Sequence, residues 1–282
     1  MPFETRSLQP FGVELIGDLS EPLADRESAQ FRDLLFEQGL IVARGQKLPR
    51  EAHVRIGGYI GRVITSGDLQ SLSNTAPDDP FKDIPLAFHS DNFYSPDPHV
   101  ALSLHALDVT PDSTATRFAN ACRAVAALPP GLRRRLEDKQ VRISFADHCD
   151  GANWRREELL VPECNWPRRH WPVIGKHPVT GREFIAANYN GTDRIAGMDR
   201  DDYVALLEEL FAVLYAPENI LEHQWRNGDV IFWDNYAVQH GRARVPAGIR
   251  RVLGRCAVGG TGFADMHPDV VAYQKSVELN AG

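Results

Sequence analysis

The chain has 282 residues, 43% hydrophobic and 24% charged, the make-up of an ordinary globular protein rather than a disordered or fibrous one. It carries 31 Lys and Arg against 38 Asp and Glu, and the net charge of −7 argues against non-specific nucleic-acid binding. No apolar run approaches the length of a membrane span, the opening MPFETRSLQPFG lacks the charged-then-apolar signal-peptide pattern, and Cys122, Cys149, Cys164 and Cys256 have no CxxC spacing, so a cytoplasmic protein with free thiols and no membrane partner is expected.

In chain order, residues 11–16 alternate well enough for a strand. A helix is predicted over 27–38, with Phe31, Leu34 and Leu35 at helical spacing and Gly39 as its stop. Residues 40–45 read as a buried strand and 50–59 as a second helix. The stretch 65–85 is rich in Ser, Asp, Asn and Pro and reads as a long loop. It leads directly into the run from Leu86 to Tyr94, so a lid is expected, with a plain surface insertion as the alternative. Residues 100–107 make a strong strand in which His105 reads as a core or lumen-facing side chain. After residues 114–120 comes a helix over 120–128 with an Asn cap, then another over 131–139, whose Arg133, Arg134 and Arg135 read as a solvated face.

A strand over 141–146 precedes an irregular stretch, 147–169, containing Trp154 and Trp166. Residues 171–174 and 183–187 read as a hairpin around a Pro-Val-Thr-Gly turn. A helix is expected over 201–215, and strands over 221–225, 229–233, 240–245 and 250–258. Many short strands with turn signals, and helices near the N-terminus and on one outer face, predict a mainly β fold with flanking helices. No repeat or linker divides the chain, so one domain over 1–282 is expected.

The chemistry concentrates in His89-Ser90-Asp91. On an extended backbone a His and an Asp two residues apart face the same way and offer an imidazole and a carboxylate to one point. Such triplets also arise by chance on surfaces, so a metal site needs a further ligand. His240, in the run from Trp233 to Arg242, is the candidate. Two His and one carboxylate with open positions form the facial triad of non-haem Fe(II) oxygenases. Arg251 and Arg255 follow His240 by 11 and 15 residues and share a strand face. An inward Arg is costly unless it meets an anion, and its planar fork suits a carboxylate.

These pieces, with Trp225-Arg226-Asn227-Gly228-Asp229, His177-Pro178-x-Thr180-Gly181-Arg182 and Asp193-Arg194-Ile195-Ala196-Gly197-Met198, resemble the taurine-dioxygenase-like (TauD/TfdA) family of Fe(II)/2-oxoglutarate oxygenases over about residues 11–257. The resemblance implies a double-stranded β-helix, a cupin-like jelly-roll core. It implies Fe(II) on His89, Asp91 and His240, with 2-oxoglutarate and O2 as cosubstrates. Arg251 would hold the distal carboxylate of 2-oxoglutarate, helped by Thr116; Thr114 is the fallback, because the family's Gly-Gly-Asp-Thr run is absent here. Arg255 would reinforce that site or pair an anion on the substrate.

Halogenating relatives replace the triad carboxylate with Ala or Gly, so Asp91 implies C–H oxidation by hydroxylation or desaturation. Pro85 stands where taurine-oxidising relatives carry Asn, so taurine is not the expected substrate. Phe93, Tyr94, Tyr189 and Asn190 are candidate substrate contacts. Phe88 could join that wall, although core packing is favoured for it. The expected partner is a small organic molecule, anionic, amino-acid-derived or a natural-product intermediate, and a homo-oligomer is compatible with the sequence. Two other readings stay open: a jelly roll that binds metal without turnover, and a metal enzyme using the triad without 2-oxoglutarate. Arg251 argues against both, having no evident task without the cosubstrate.

Overall fold

The computed structural model describes residues 3–64, 71–75, 83–145, 155, 167–269 and 271–272. Two sheets face one another. The larger runs Glu4–Ser7, Val13–Ile16, Leu40–Ala43, Val230–Asp234, Ala101–Val109, Arg251–Val258, Ser71–Ser73. The smaller runs Ile220–Gln224, Ala115–Asn120, Val238–Arg242, Leu86–His89. Every pair is antiparallel except Val13–Ile16 beside Leu40–Ala43.

Strand alternation explains the layers. On Leu40–Ala43, Ile41 and Ala43 pack beneath the helices, whereas Leu40 and Val42 point between the sheets. Val230 and Phe232 likewise join the helix side, and Ile231 and Trp233 the inter-sheet side. Because both faces are covered, these strands read as continuous apolar runs rather than as alternating ones. Phe118 and Val238 complete the inter-sheet core from the smaller sheet. Truncating such a buried aromatic to Ala typically costs about 3–5 kcal/mol.

Two helices, Asp25–Gln38 and Arg50–Ile60, cover the larger sheet. The first buries Phe31 and Leu35, one turn apart, and ends where Gly39 takes φ 78° and its N–H bonds Leu35 O at 2.7 Å. On the outer side of the smaller sheet lies a third core. It is built from Ala121–Ala127, Pro130–Leu136 and Arg200–Leu214 with the strands Gln140–Ser144, Arg168–Pro172 and Thr192–Ile195. Asn120 caps the first of these helices by accepting from Arg123 N at 2.8 Å. Arg133 and Arg135 pair with Glu183 and Glu209, as expected of a solvated face. No described helix is long and apolar enough to cross a membrane.

Three expectations need correction. The hairpin around residues 178–181 is Ile174–Lys176 with Glu183–Ile185. Trp171 belongs instead to Arg168–Pro172, which pairs with Gln140–Ser144 and occupies the end of the stretch read as irregular. Pro172 has no N–H to donate, and Val173 joins both neighbours: its N–H bonds Lys139 O at 2.9 Å and its carbonyl accepts from Ala186 N at 3.0 Å. Within the expected lid, Ser71–Ser73 is a strand pairing with Val252–Gly254, so an open sheet edge supplies the order that its composition does not. Residues 65–70 and 76–82 of that lid, along with Trp154, Trp166, Cys149 and Cys164, lie outside the described residues.

Candidate active site

Strand register sets His89 against His240. Leu86–His89 is an edge strand, and His89 is the direct partner of His240 on Val238–Arg242. Gly241 is needed between them and Leu86, since a Cβ there would lie 2.8 Å from Leu86 O. The two rings sit with centroids 4.3 Å apart. Asp91 arrives differently from the sequence expectation. The strand ends at His89, so period-2 alternation does not carry Asp91 to the same face. A turn does so instead, and Asn92 within it takes φ 60°.

Asp91 Oδ1 lies 3.1 Å from His89 Nε2 and 3.7 Å from His240 Nε2. One ligand atom from each residue can be chosen so that all three lie within 4.8 Å of one another. The donor chemistry fits a divalent metal. His89 Nδ1–H donates to Ala87 O at 2.8 Å, so Nε2 is the nitrogen that faces Asp91: protonated, it donates to the carboxylate, and neutral, it offers its lone pair to a metal. Burial, and then the charge of His89, pull His240 down to about 3, so its imidazole stays neutral. Burial also opposes the charged form of His89, but the Asp91 hydrogen bond and charge outweigh it and leave His89 raised. For Asp91 burial is again the opposing effect, and Arg255 above all holds its carboxyl well below the usual range. Arg255 Nη2 donates to Asp91 Oδ2 at 2.6 Å, the carboxylate oxygen other than the one nearest the histidines.

Arg251, Leu253, Arg255 and Ala257 share one face of Arg251–Val258, and Leu253 and Ala257 mark it as the face between the sheets. Arg251 is 5% exposed. Its Nη2 donates to Thr116 Oγ1 at 3.2 Å, and Trp225 Nε1 donates to the same oxygen at 2.9 Å. Thr116 and Arg251 line one cavity with His240, Arg242, Asn74 and Leu104. Thr114 is buried too, but it precedes the strand and is not among the residues lining that cavity.

The candidate substrate contacts are dispersed. Phe93 is 1% exposed and stacks on Trp171 with centroids 4.9 Å apart, inside the third core. The left-handed turn at Asn92 sends it there, which corrects its assignment to a substrate wall. Tyr94 donates to Asn92 Oδ1 at 2.8 Å and packs edge-on against Phe145. Phe88 and Tyr189 line a second pocket of about 340 Å³ with Arg117 and Tyr215. Phe88 alternates with His89 and lies under the Arg117 guanidinium, while Leu86, Gly241 and Arg242 line both this pocket and the cavity of Arg251. Asn190 supports the edge strand through its N–H to Phe88 O at 3.0 Å.

Several residues of the site escaped the sequence reading. Asn74 Oδ1 accepts from Arg251 N at 2.8 Å, a role hidden in the apparent loop. Arg242, two residues past His240, shares its strand face; period 2 could have found it. Apart from Trp225, which bonds Thr116, the strings Trp225 to Asp229 and His177 to Arg182 turn out to be scaffold. Asn227 Oδ1 accepts from Val109 N, Asp229 takes His223 and Arg226 N, and His177 meets Asp234.

Comparison with known proteins agrees with this geometry. Residues 4–257 match the family model "Taurine catabolism dioxygenase TauD, TfdA family". The chain is 26% identical over 274 residues to the alpha-ketoglutarate-dependent 2,4-dichlorophenoxyacetate dioxygenase of Cupriavidus pinatubonensis, covering 86% of this chain and 92% of that protein. It is 26% identical over 240 residues to the (S)-phenoxypropionate/alpha-ketoglutarate-dioxygenase of Sphingobium herbicidovorans, covering 77% and 82%. Among solved structures, AAD-2 in complex with Mn(II) and N-oxalylglycine superposes with a TM-score of 0.77 at 24% identity, covering 93% of this chain and 98% of that one. The jelly roll is therefore the family's fold, and the chain belongs to the TauD/TfdA family of dioxygenases that use Fe(II), 2-oxoglutarate and O2.

Proposed function

We propose that this enzyme oxidises a C–H bond of a small organic anion, by hydroxylation or desaturation, with His89, Asp91 and His240 holding the iron. The observation that carries the reading is the convergence of those three ligand atoms beside a cavity that also holds Arg251 and Thr116. When bound, Fe(II) with 2-oxoglutarate and O2 supplies the oxidising power for C–H cleavage, with succinate and CO2 as products.

The chain's own groups supply the rest. Arg251 takes the distal carboxylate of 2-oxoglutarate through its guanidinium. Thr116 Oγ1 already accepts from Arg251 and Trp225, so its hydroxyl proton is available to the same carboxylate. Arg255 fixes the outer oxygen of Asp91 and places positive charge at the metal end of the strand, where an anionic substrate group would be attracted. Tyr94 flanks the turn that carries Asp91 and remains the candidate aromatic contact on that side.

The two relatives named above are dioxygenases of aryloxyalkanoic acids by name, which favours small carboxylates over sulfonates here, in line with Pro85. The test is succinate release with Fe(II), 2-oxoglutarate and ascorbate across aryloxyalkanoic acids, N-substituted amino acids, terpenoid acids and taurine. Substrate-stimulated release by a carboxylate is expected. Iron-loaded, 2-oxoglutarate-bound protein that no member of the panel stimulates would favour the binding-only reading, and stimulation by taurine alone would overturn the preference for carboxylates.

A further inference from the structure

Asp91 lies beyond the last residue of its strand and has no ladder partner there. What holds it is Asn235, which is fully buried and follows directly on Val230–Asp234. Asn235 Oδ1 accepts from Asp91 N at 2.9 Å. Its Nδ2 donates to Asp91 O at 2.9 Å and to His99 O at 2.9 Å. Asn235's own N–H bonds Val100 O at 3.0 Å. The side-chain amide thus does for Asp91 what a neighbouring strand would do, gripping both polar groups of one residue. Only a primary amide offers an acceptor and two donors at this reach; Asp lacks the donors and Gln is a methylene longer.

The same tie anchors the far end of the turn. His99 sends Nδ1–H to Gly259 O at 3.1 Å, and its Nε2 lies 3.0 Å from Asn92 Nδ2. The loop from Asp91 to His99 is therefore closed on itself around Asn235, across 144 residues of sequence. We propose that Asn235 is a positioning residue that sets the Asp91 backbone, and with it Oδ1, in the metal-binding arrangement before any metal arrives. Arg255, holding Oδ2, then leaves Asp91 one oxygen to offer. Partners of this kind behind a metal ligand are typically worth about 10–100-fold in metal affinity.

This rests on Asp91 being a metal ligand, and the test separates the two ideas. Co(II) and Mn(II) are titrated into metal-free wild type and the variants Asn235→Ala, Asn235→Asp, Asp91→Ala and Asn219→Ala. Asn219 is the matched control, a buried Asn whose Nδ2 donates to Asn120 O and Leu214 O away from the site. The folded Asn235 variants should bind Co(II) roughly 10–100-fold more weakly and show an altered Co(II) visible spectrum, whereas Asn219→Ala loses thermal stability and keeps its affinity. Wild-type affinity and spectrum in a folded Asn235 variant, or an equal loss in Asn219→Ala, would overturn the positioning role. Asp91→Ala retaining full affinity would overturn the ligand assignment as well.

Should the Asn235 variants not fold, hydrogen exchange of the wild type decides. A clamp formed in advance protects the Asp91 amide equally in metal-free and metal-loaded protein. Protection that appears only with metal would refute it.

Discussion

His89–Asp91 and His177–Asp234 are the same two side chains in two settings. In the second, His177 Nε2–H donates to Asp234 Oδ1 at 2.9 Å, while its Nδ1 accepts from Val179 N and Thr180 N. Asp234 Oδ1 also accepts from Tyr236 N and Ala237 N, and both side chains are fully buried. Every lone pair of that imidazole is used inside the scaffold, so the pair is a staple between two turns. In the first, His89 spends only Nδ1 on the backbone. Its Nε2 points at Asp91 Oδ1 and the ring of His240, and the pair keeps 20% and 17% of its side-chain surface exposed. A His–Asp pair becomes a ligand pair when the scaffold leaves one nitrogen and one oxygen uncommitted toward a common point.

That distinction can be broken most sharply at the metal. Asp91→Ala or His240→Ala should bring bound iron and succinate release below detection, because two ligands do not hold the site. His177→Ala should bind one metal per chain as the wild type does. Metal content after anaerobic loading and dialysis checks both, and iron lost from folded His177→Ala would erase the contrast.

Stability should reverse the order. Removing His177 strands the Asp234 carboxylate in a fully buried site, a change that typically costs about 3–5 kcal/mol. Removing His89 leaves Asp91 with Arg255, so the metal-free protein should lose far less. Urea unfolding of both variants without metal measures this, and equal losses would mean that the staple and the ligand pair carry the fold alike.

Arginines repeat the contrast. Arg142 Nε donates to both oxygens of Asp193 at 2.8 and 2.9 Å, with Ser144 on the same carboxylate. Arg251 meets a hydroxyl, Thr116, inside a cavity. Arg251→Ala should weaken 2-oxoglutarate binding by about 2–5 kcal/mol, roughly 30-fold or more. Thr116→Val should cost about 0.5–1.5 kcal/mol, roughly 2–10-fold. Arg142→Ala should cost stability and leave that affinity alone. Anaerobic titration of 2-oxoglutarate into the metal-loaded protein reads all three, and a loss on removing Arg255 without one on removing Arg251 would exchange the two arginines' roles.

These contrasts also mark how far the sequence could be read. Apolar alternation and glycine stops placed the strands and helices within a few residues, because their order is local. The triad stood out because His89 and Asp91 are near in sequence and His240 recurs in a distinctive string. What stayed hidden was contact across long separations. Nothing near Phe93 foretells Trp171, which stacks on it from 78 residues away and draws it into the core. Nothing near Asn74 foretells Arg251, and Asn235 was visible as part of a string without its partner being visible. The same string of motif residues contains the proposed ligand His240 and the staple residue Asp234, and the count of committed lone pairs tells them apart.

A third kind of buried histidine sharpens this at the smallest scale. His53, on Arg50–Ile60, has its Nε2 2.6 Å from Ser103 Oγ and its ring 5.7 Å from that of His105. Burial, with His105 adding to it, pushes His53 down from 6.5 to about 3. Between those values the unfolded chain takes up a proton that the folded chain refuses. The stabilisation is therefore complete above about pH 6.5 and declines as pH falls toward 3, by about 1.4 kcal/mol per pH unit at most. Other groups titrate in the same window, so the informative quantity is a difference. Urea unfolding of metal-free wild type and His53→Asn at pH 7.5, 6 and 5 should show the wild type losing stability more steeply between pH 6 and 5, by up to about 1.4 kcal/mol. Parallel slopes would mean that folding leaves the proton binding of His53 unchanged, so that its burial does not suppress its charge.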